Sequence, residues 1–125
     1  MLSLLIDTTG PQAFLGLAEN GTLLSKVIIS EGRQLSKFLL PSIQSILQER
    51  RPTFIAIGTG PGSFTGSRVG GIVAHSLSYG WNIPLISFSS TLVPDLEAIA
   101  AQSYEKYLSG ETITQIELVY ISSTP

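Results

Sequence analysis

Three apolar runs in the first thirty residues predict three consecutive strands, at 2–6, 13–18 and 22–29. A cluster of turn-forming residues, 7–11, follows the first run. The second and third runs flank Asn20-Gly21, a pair typical of tight hairpins because both residues tolerate positive φ. Strands joined by such short turns predict an antiparallel meander.

The rest of the chain alternates between helical and extended patterns. Apolar residues at helical spacing predict a helix over 33–49, with a kink or a late start caused by Pro41. Two more helices are expected, at 65–80 and at about 92–108, the latter capped by Ser90-Thr91. Between the helices and after them, extended patterns predict strands at 53–58, 82–88 and 115–122.

This order of elements predicts an α/β fold of the ribonuclease-H-like type, which is also the type of one lobe of actin-like ATPases (ASKHA). Right-handed crossovers place the fourth strand parallel to the first. We therefore expect a five-stranded mixed sheet, with three antiparallel strands and then two parallel ones, and helices on both faces. Residues 1–110 are expected to form this lobe, and 111–125 the start of a second lobe that is truncated or absent.

Composition excludes several classes of function. The 125 residues include 43% hydrophobic and only 13% charged residues, with a formal net charge of −2, so the basic excess of a duplex-DNA binder is missing. With no cysteine and one histidine, disulfides, thiolate metal sites and histidine metal sites are excluded. No leader pattern or membrane-length apolar run is present, so we expect a cytoplasmic protein with no membrane partner.

The glycine-rich segment 58–71 follows a predicted strand and opens a predicted helix, a position where backbone N–H groups can hold an anion. It lacks the lysine of a Walker A motif, and it matches neither a dinucleotide fingerprint nor a nucleophile elbow. A tight turn for close packing is the alternative. Small residues then recur at three- and four-residue steps, which predicts close approach of another helix, within the domain or from a partner: Gly66, Gly70, Gly71, Ala74 and Ser78.

Three segments together resemble the TsaB (YeaZ) family: residues 6–9 (IDTT), 40–41 (LP) and above all 60–70 (GPGSFTGSRVG). The resemblance implies a non-catalytic subunit of tRNA modification, in which N6-threonylcarbamoyladenosine (t6A) is made at position 37 of ANN-decoding tRNAs. It further implies pairing with the paralogue TsaD, which performs the transfer, and recruitment of the ATPase TsaE. ATP and Mg²⁺ are then expected on the partner subunits and no cofactor on this chain. Contact with tRNA would occur only through the complex, and a homodimer is expected in isolation.

The resemblance and the small-residue face together predict a partner surface on the helices at 33–49 and 65–80. Leu35 stands where the family usually has a histidine, which is a departure from the family's pattern. No catalytic residue and no metal ligand is assigned. The expected contact residues are Leu35, Ser36, Leu39, Phe64, Arg68, Gly70, Gly71, Ala74, His75 and Ser78.

Asp7, Thr8 and Thr9 follow the first predicted strand and form, by the resemblance, the remnant of a nucleotide site. In ATP-using relatives of this fold an acid at this place helps to hold Mg²⁺. The alternative function is therefore a small nucleotide- and Mg²⁺-binding enzyme that uses Asp7 and the glycine loop. Against it stands a purely structural role, in which Asp7 caps the turn after the strand.

Overall fold

A computed structural model describes residues 1–30, 34–114 and 116 of the chain. Strands and helices follow one another as the apolar pattern predicts. In chain order they are β1 (Leu2–Asp7), β2 (Ala13–Glu19), β3 (Thr22–Ile29), α1 (Leu35–Leu47), β4 (Phe54–Gly58), α2 (Phe64–Trp81), β5 (Leu85–Phe88) and α3 (Leu96–Leu108).

The described strands form one five-stranded sheet in the order β3-β2-β1-β4-β5. β1 pairs antiparallel with β2 and parallel with β4, and β4 pairs parallel with β5. At the β2–β3 hairpin, Asn20 and Gly21 have φ values of 51° and 83°, the positive values that the predicted tight turn requires. The predicted α/β fold and mixed sheet are therefore confirmed.

Helices cover both faces of the sheet, because the two faces of each central strand are apolar. On β1, Leu4 and Ile6 pack with α1 and α2, whereas Leu5 faces the α3 side. β4 is buried along its whole length, which agrees with its uninterrupted apolar sequence. On the α3 side, Phe54 stacks on Tyr107 with ring centroids 4.8 Å apart. The sheet is thus the middle layer of three.

α1 begins at Leu35, six residues before Pro41, so the proline does not delay its start. The alternative of a late start is wrong; Pro41 instead lies inside the helix and removes the donor that would reach the carbonyl of Lys37. The helix ends at Leu47, followed by Gln48 in the left-handed conformation with φ of 50°. The Arg50 side chain closes this end by donating from Nε to the Leu47 carbonyl oxygen at 2.9 Å.

α3 begins at Leu96 and not at about residue 92, which corrects the predicted cap. Asp95 is the capping residue, and its carboxylate accepts from the backbone N–H of Ala98 at 3.2 Å. Ser90 does not cap α3, because its hydroxyl accepts from the backbone N–H of Gly60 at 3.0 Å. Thr91 instead donates to the carbonyl oxygen of Val93.

Beyond α3, the backbone N–H of Ile113 donates to the carbonyl oxygen of Leu85 at 2.8 Å and forms an isolated antiparallel bridge to β5. The strand predicted at 115–122 lies outside the described residues except for Ile116. The division at residue 110 therefore stays a prediction. Within the described part of the chain, no helix is both long and apolar enough to cross a membrane.

Adjacent leucines on α1 allow a matched test of this core. Leu39 is fully buried and Leu40 is 41% exposed. We expect Leu39→Ala to lower the free energy of unfolding by about 2–5 kcal/mol, because the cavity lies between α1 and the sheet. Leu40→Ala should cost less than about 1 kcal/mol, as surface substitutions usually do. Urea unfolding followed by circular dichroism measures both, and similar losses for the two variants would contradict the assigned faces of α1.

Candidate functional site

The carboxyl ends of β1, β4 and β5 meet at one edge of the sheet, because these three strands are parallel. Ligands of open α/β sheets usually bind at this edge. Here β1 ends at Asp7, β4 at Gly58 and β5 at Phe88, two residues before Ser90. The predicted nucleotide-site remnant and the glycine loop therefore lie together.

Asp7 is enclosed by the residues around it and is 2% exposed. Its Oδ1 accepts from the backbone N–H of Thr9 at 3.0 Å and from the Thr9 hydroxyl at 2.7 Å. The Ser90 hydroxyl donates to the same oxygen at 3.4 Å. A carboxylate bonded two residues ahead is an Asx turn, so Asp7 has the turn-capping role that was one of the two alternatives.

Gly58 and the second oxygen of Asp7 show how tightly this carboxylate is packed. A methyl group added at Gly58 would lie 2.7 Å from the Cγ of Asp7 and 2.8 Å from the hydroxyl of Ser90, so only glycine fits there. Asp7 Oδ2 is buried and has no hydrogen-bond partner among the described residues. Those residues contain no group of three or more acids and histidines that could hold a metal ion.

Thr8 and Thr9, each 2% exposed, turn towards α2. The Thr8 hydroxyl donates to the carbonyl oxygen of Gly66 at 2.6 Å. The carbonyl oxygen of Thr9 accepts from the backbone N–H of Ser63 at 2.7 Å. These two hydrogen bonds fasten the turn after β1 to the start of α2.

Two backbone N–H groups at the N-terminus of α2 donate to acceptors within the protein. Ser63 is the capping residue, and its hydroxyl accepts from the backbone N–H of Gly66 at 3.2 Å. The N–H of Ser63 is already bonded to Thr9. Two donors that an anion would need are thus occupied by the protein. The glycine loop, in which the Gly60–Pro61 peptide bond is cis, fits the close-packing alternative.

The small-residue face of α2 packs inside this chain. A methyl group added at Gly66 or Gly70 would overlap Thr8, and Ala74 is fully buried. At Ala74 the predicted approach of another helix holds within the domain, because Ala74 lies in the core cluster that also contains buried residues of α1. What approaches Gly66 and Gly70, however, is the turn after β1. Because that turn comes from a distant part of the sequence, helical spacing alone could not identify it.

Large apolar and aromatic side chains lie on the opposite side of α2. Ile72 is 63% exposed and Tyr79 86% exposed, and between them His75 and Ser76 are also exposed. Steps of three and four residues place all four on one stripe. We call Ile72, His75, Ser76 and Tyr79 the outer face of α2. Sequence reasoning found only His75 of this face.

The predicted contact residues divide between the interior and the surface. Five of them are buried in this chain, and their role as partner contacts stays a prediction: Leu35, Leu39, Gly70, Gly71 and Ala74. Ser36, Arg68 and His75 are exposed. Ser78 is half-buried and donates its hydroxyl to the carbonyl oxygen of Ile83. The side chain of Phe64 lies outside the described part of the structure.

A cavity of about 710 Å³ opens beside the turn after β1, between the starts of α1 and α2 and the loop after β5. Its volume is that of a small-molecule site. None of the described residues that line it is charged, and the hydroxyls of Thr8, Thr9, Ser63 and Ser90 already have partners in the protein. The cavity is therefore mainly apolar.

Comparison with known proteins identifies the family. The model described as TsaD, tRNA N6-adenosine threonylcarbamoyltransferase, matches residues 22–109. Curated relatives named tRNA threonylcarbamoyladenosine biosynthesis protein TsaB are 33% identical over 90 residues in Haemophilus influenzae and 32% identical over 97 residues in Escherichia coli. These matches cover 68% and 74% of this chain. The chain belongs to the TsaB (YeaZ) family. It spans 36% and 42% of the length of these two TsaB proteins.

Solved structures agree with this assignment. YeaZ from Pseudomonas aeruginosa superposes with a TM-score of 0.64 at 28% identity, over 70% of this chain and 43% of the YeaZ chain. RuvC from Thermus thermophilus, solved with a Holliday junction substrate, also has a TM-score of 0.64, over 90% of this chain and 98% of RuvC. Its identity is only 10%, so this likeness shows the ribonuclease-H-like fold alone.

Substitution of Asp7 tests its structural role. Asp7→Ala removes the acceptor of three hydrogen bonds and should lower the free energy of unfolding by about 2–4 kcal/mol. Asp7→Asn keeps one oxygen that can accept from Thr9 and removes a buried charge, so we expect a smaller loss. Chemical denaturation of the wild type, Asp7→Ala and Asp7→Asn measures the three free energies of unfolding. Wild-type stability of Asp7→Ala would show that the carboxylate does not hold the turn.

Proposed function

We propose that this chain is a non-catalytic TsaB-type subunit that pairs with a TsaD-type protein in the synthesis of N6-threonylcarbamoyladenosine at position 37 of ANN-decoding tRNAs. The names of its relatives support the pathway, and the match to the TsaD family model supports a partner of the same domain type. In this proposal the pairing surface lies within the lobe at 1–110, residues 111–125 begin a second lobe, and the complex works in the cytoplasm.

The outer face of α2 is the observation that carries the pairing. Ile72 and Tyr79 expose large apolar surface on a helix whose inner side is already packed. Burial of such side chains at the centre of an interface is a main source of binding energy. α1 and α2 lie on the same face of the sheet, so a partner with the same domain type would add its own helix pair and complete a four-helix arrangement.

The geometry at the carboxyl edge supports a subunit without its own catalysis. Asp7 is surrounded by Thr9, Ser90 and Gly58, and two donors of the α2 N-terminus are occupied. Phosphoryl transfer needs metal ions and positioned charges around a nucleotide. In our proposal ATP and Mg²⁺ act on the TsaD-type partner and on a TsaE-type ATPase. Contact with tRNA runs through the complex, and the isolated chain forms a homodimer through the same face.

One observation favours the alternative function of a small nucleotide- and Mg²⁺-binding enzyme. Asp7 Oδ2 is buried without a partner among the described residues, and a carboxylate oxygen is a ligand that Mg²⁺ prefers. Thr8 and Thr9, the neighbours of Asp7, line the cavity of about 710 Å³.

A charge placed on the outer face of α2 tests the pairing. Ile72→Asp should weaken binding to the TsaD-type protein of the same organism at least tenfold, because an interface must then bury an unpaired carboxylate. Leu108→Asp is the matched control, since Leu108 is 58% exposed on α3 at the other face of the sheet. Co-purification followed by mass determination and titration calorimetry measures the affinities. Equal affinities for the two variants would place the interface elsewhere.

Calorimetry with ATP and Mg²⁺ separates the two functions. We expect no saturable heat from the chain alone, because the groups around Asp7 are engaged with one another. Saturable binding that disappears in Asp7→Asn would instead support the nucleotide-binding enzyme. Asp95→Asn serves as the control, because Asp95 is an exposed carboxylate that caps α3.

A further inference from the structure

We propose that Thr8 is the positioning residue of the partner surface: by lying against the backbone of α2 it sets the place of the outer face of that helix. The inference rests on the proposed function, because it concerns how the pairing surface is held. It assigns to the predicted nucleotide-site remnant a role in recognition of a protein partner.

The contact between Thr8 and α2 leaves no free space. The Thr8 hydroxyl donates to the Gly66 carbonyl oxygen at 2.6 Å. A methyl group added at Gly70 would lie 3.0 Å from the Cγ2 and 3.1 Å from the Cβ of Thr8, and closer still to its hydroxyl oxygen. Real Cβ atoms are rarely found at such distances, so an alanine at position 70 would have to push α2 and Thr8 apart.

The turn that contains Thr8 is held by hydrogen bonds of the neighbouring residues Asp7 and Thr9. Asp7 Oδ1 binds the N–H and the hydroxyl of Thr9, which fixes the shape of the turn. The Thr9 carbonyl oxygen binds the N–H of Ser63, directly before α2. Thr8 is therefore a rigid support, and a clash with it should move the helix more readily than the turn.

Displacement of α2 at this point moves its outer face. Gly66 and Gly70 lie on the inner side of the first half of α2, whereas Ile72 and Tyr79 lie on its outer side. The hydrogen-bonded backbone makes the helix move as one body, so a shift at Gly70 is transmitted to both side chains. Interfaces respond strongly to such shifts because their cores are packed as densely as protein interiors.

A pair of substitutions, one that adds a methyl group at Gly70 and one that shortens Thr8, tests this contact. Gly70→Ala adds a methyl group against Thr8, and Thr8→Ala in the same chain removes the hydroxyl and the Cγ2 that it would meet. Gly80→Ala is the control on the same helix, because a methyl group there meets no atom within 4 Å. Affinity for the TsaD-type protein is measured at a temperature where circular dichroism shows each variant fully folded. Trp81, the one tryptophan of the chain and the last residue of α2, reports the position of the helix without any partner.

We expect Gly70→Ala to bind about tenfold more weakly and to shift the Trp81 emission, since overpacking displaces backbone. Gly70→Ala with Thr8→Ala should recover most of the affinity and the original emission, and Gly80→Ala should bind like the wild type. Wild-type affinity of folded Gly70→Ala, or failure of the second substitution to restore it, would overturn the proposal.

Two further results have a defined meaning. If the wild-type chain does not bind the TsaD-type protein, the proposed function fails, and the role of Thr8 in recognition fails with it. A shift of Trp81 emission in Gly70→Ala that Thr8→Ala reverses would then show that Thr8 positions α2 for stability only.

If Gly70→Ala does not fold, the variant Thr8→Val is tested in its place. This variant keeps the shape but loses the bond to Gly66, and unchanged affinity together with unchanged emission would overturn the proposal.

Discussion

Thr8 lies against the backbone of α2 at Gly66 and Gly70, where no larger residue fits, and this close approach fixes how the turn after β1 meets the helix. It draws the turn after β1 onto the helix, which brings the Thr9 carbonyl oxygen to the N–H of Ser63. The same turn is shaped by Asp7 through its bonds to Thr9. Residues that appear in the sequence as a site for a ligand are here bonded to one another.

The fold was predictable because its signals are local. β4 is apolar along its length and is buried on both faces, and Asn20-Gly21 has the positive φ values of its hairpin. The start of α3 was not predictable by the same means. Ser90 resembles a helix cap in sequence, but it bonds Gly60, thirty residues earlier, and the cap falls to Asp95. Long-range hydrogen bonds thus override local capping preferences in this loop.

The site was only half predictable, and the reason lies in how α2 is built. Small residues at helical spacing indicate close approach, but they do not say what approaches. The partner of Gly66 is Thr8, fifty-eight positions away in sequence, so the spacing could not name it. Ile72 and Tyr79 lie on the other side of the same helix. With apolar residues on both sides, the sequence does not show which side faces solvent.

A glycine-rich signature at the edge of an α/β sheet ordinarily favours phosphate binding, and this chain shows why that inference needs the surrounding contacts. An anion site needs free backbone donors, whereas Ser63 and Gly66 both direct theirs to acceptors within the protein. Gly58 is likewise needed beside Asp7, since any side chain there would strike the carboxylate. Packing alone therefore explains several of the glycines. A side chain at Gly66 or Gly70 would strike Thr8 and move α2, so these two glycines are needed for the place of the proposed partner surface whether or not the loop binds an anion.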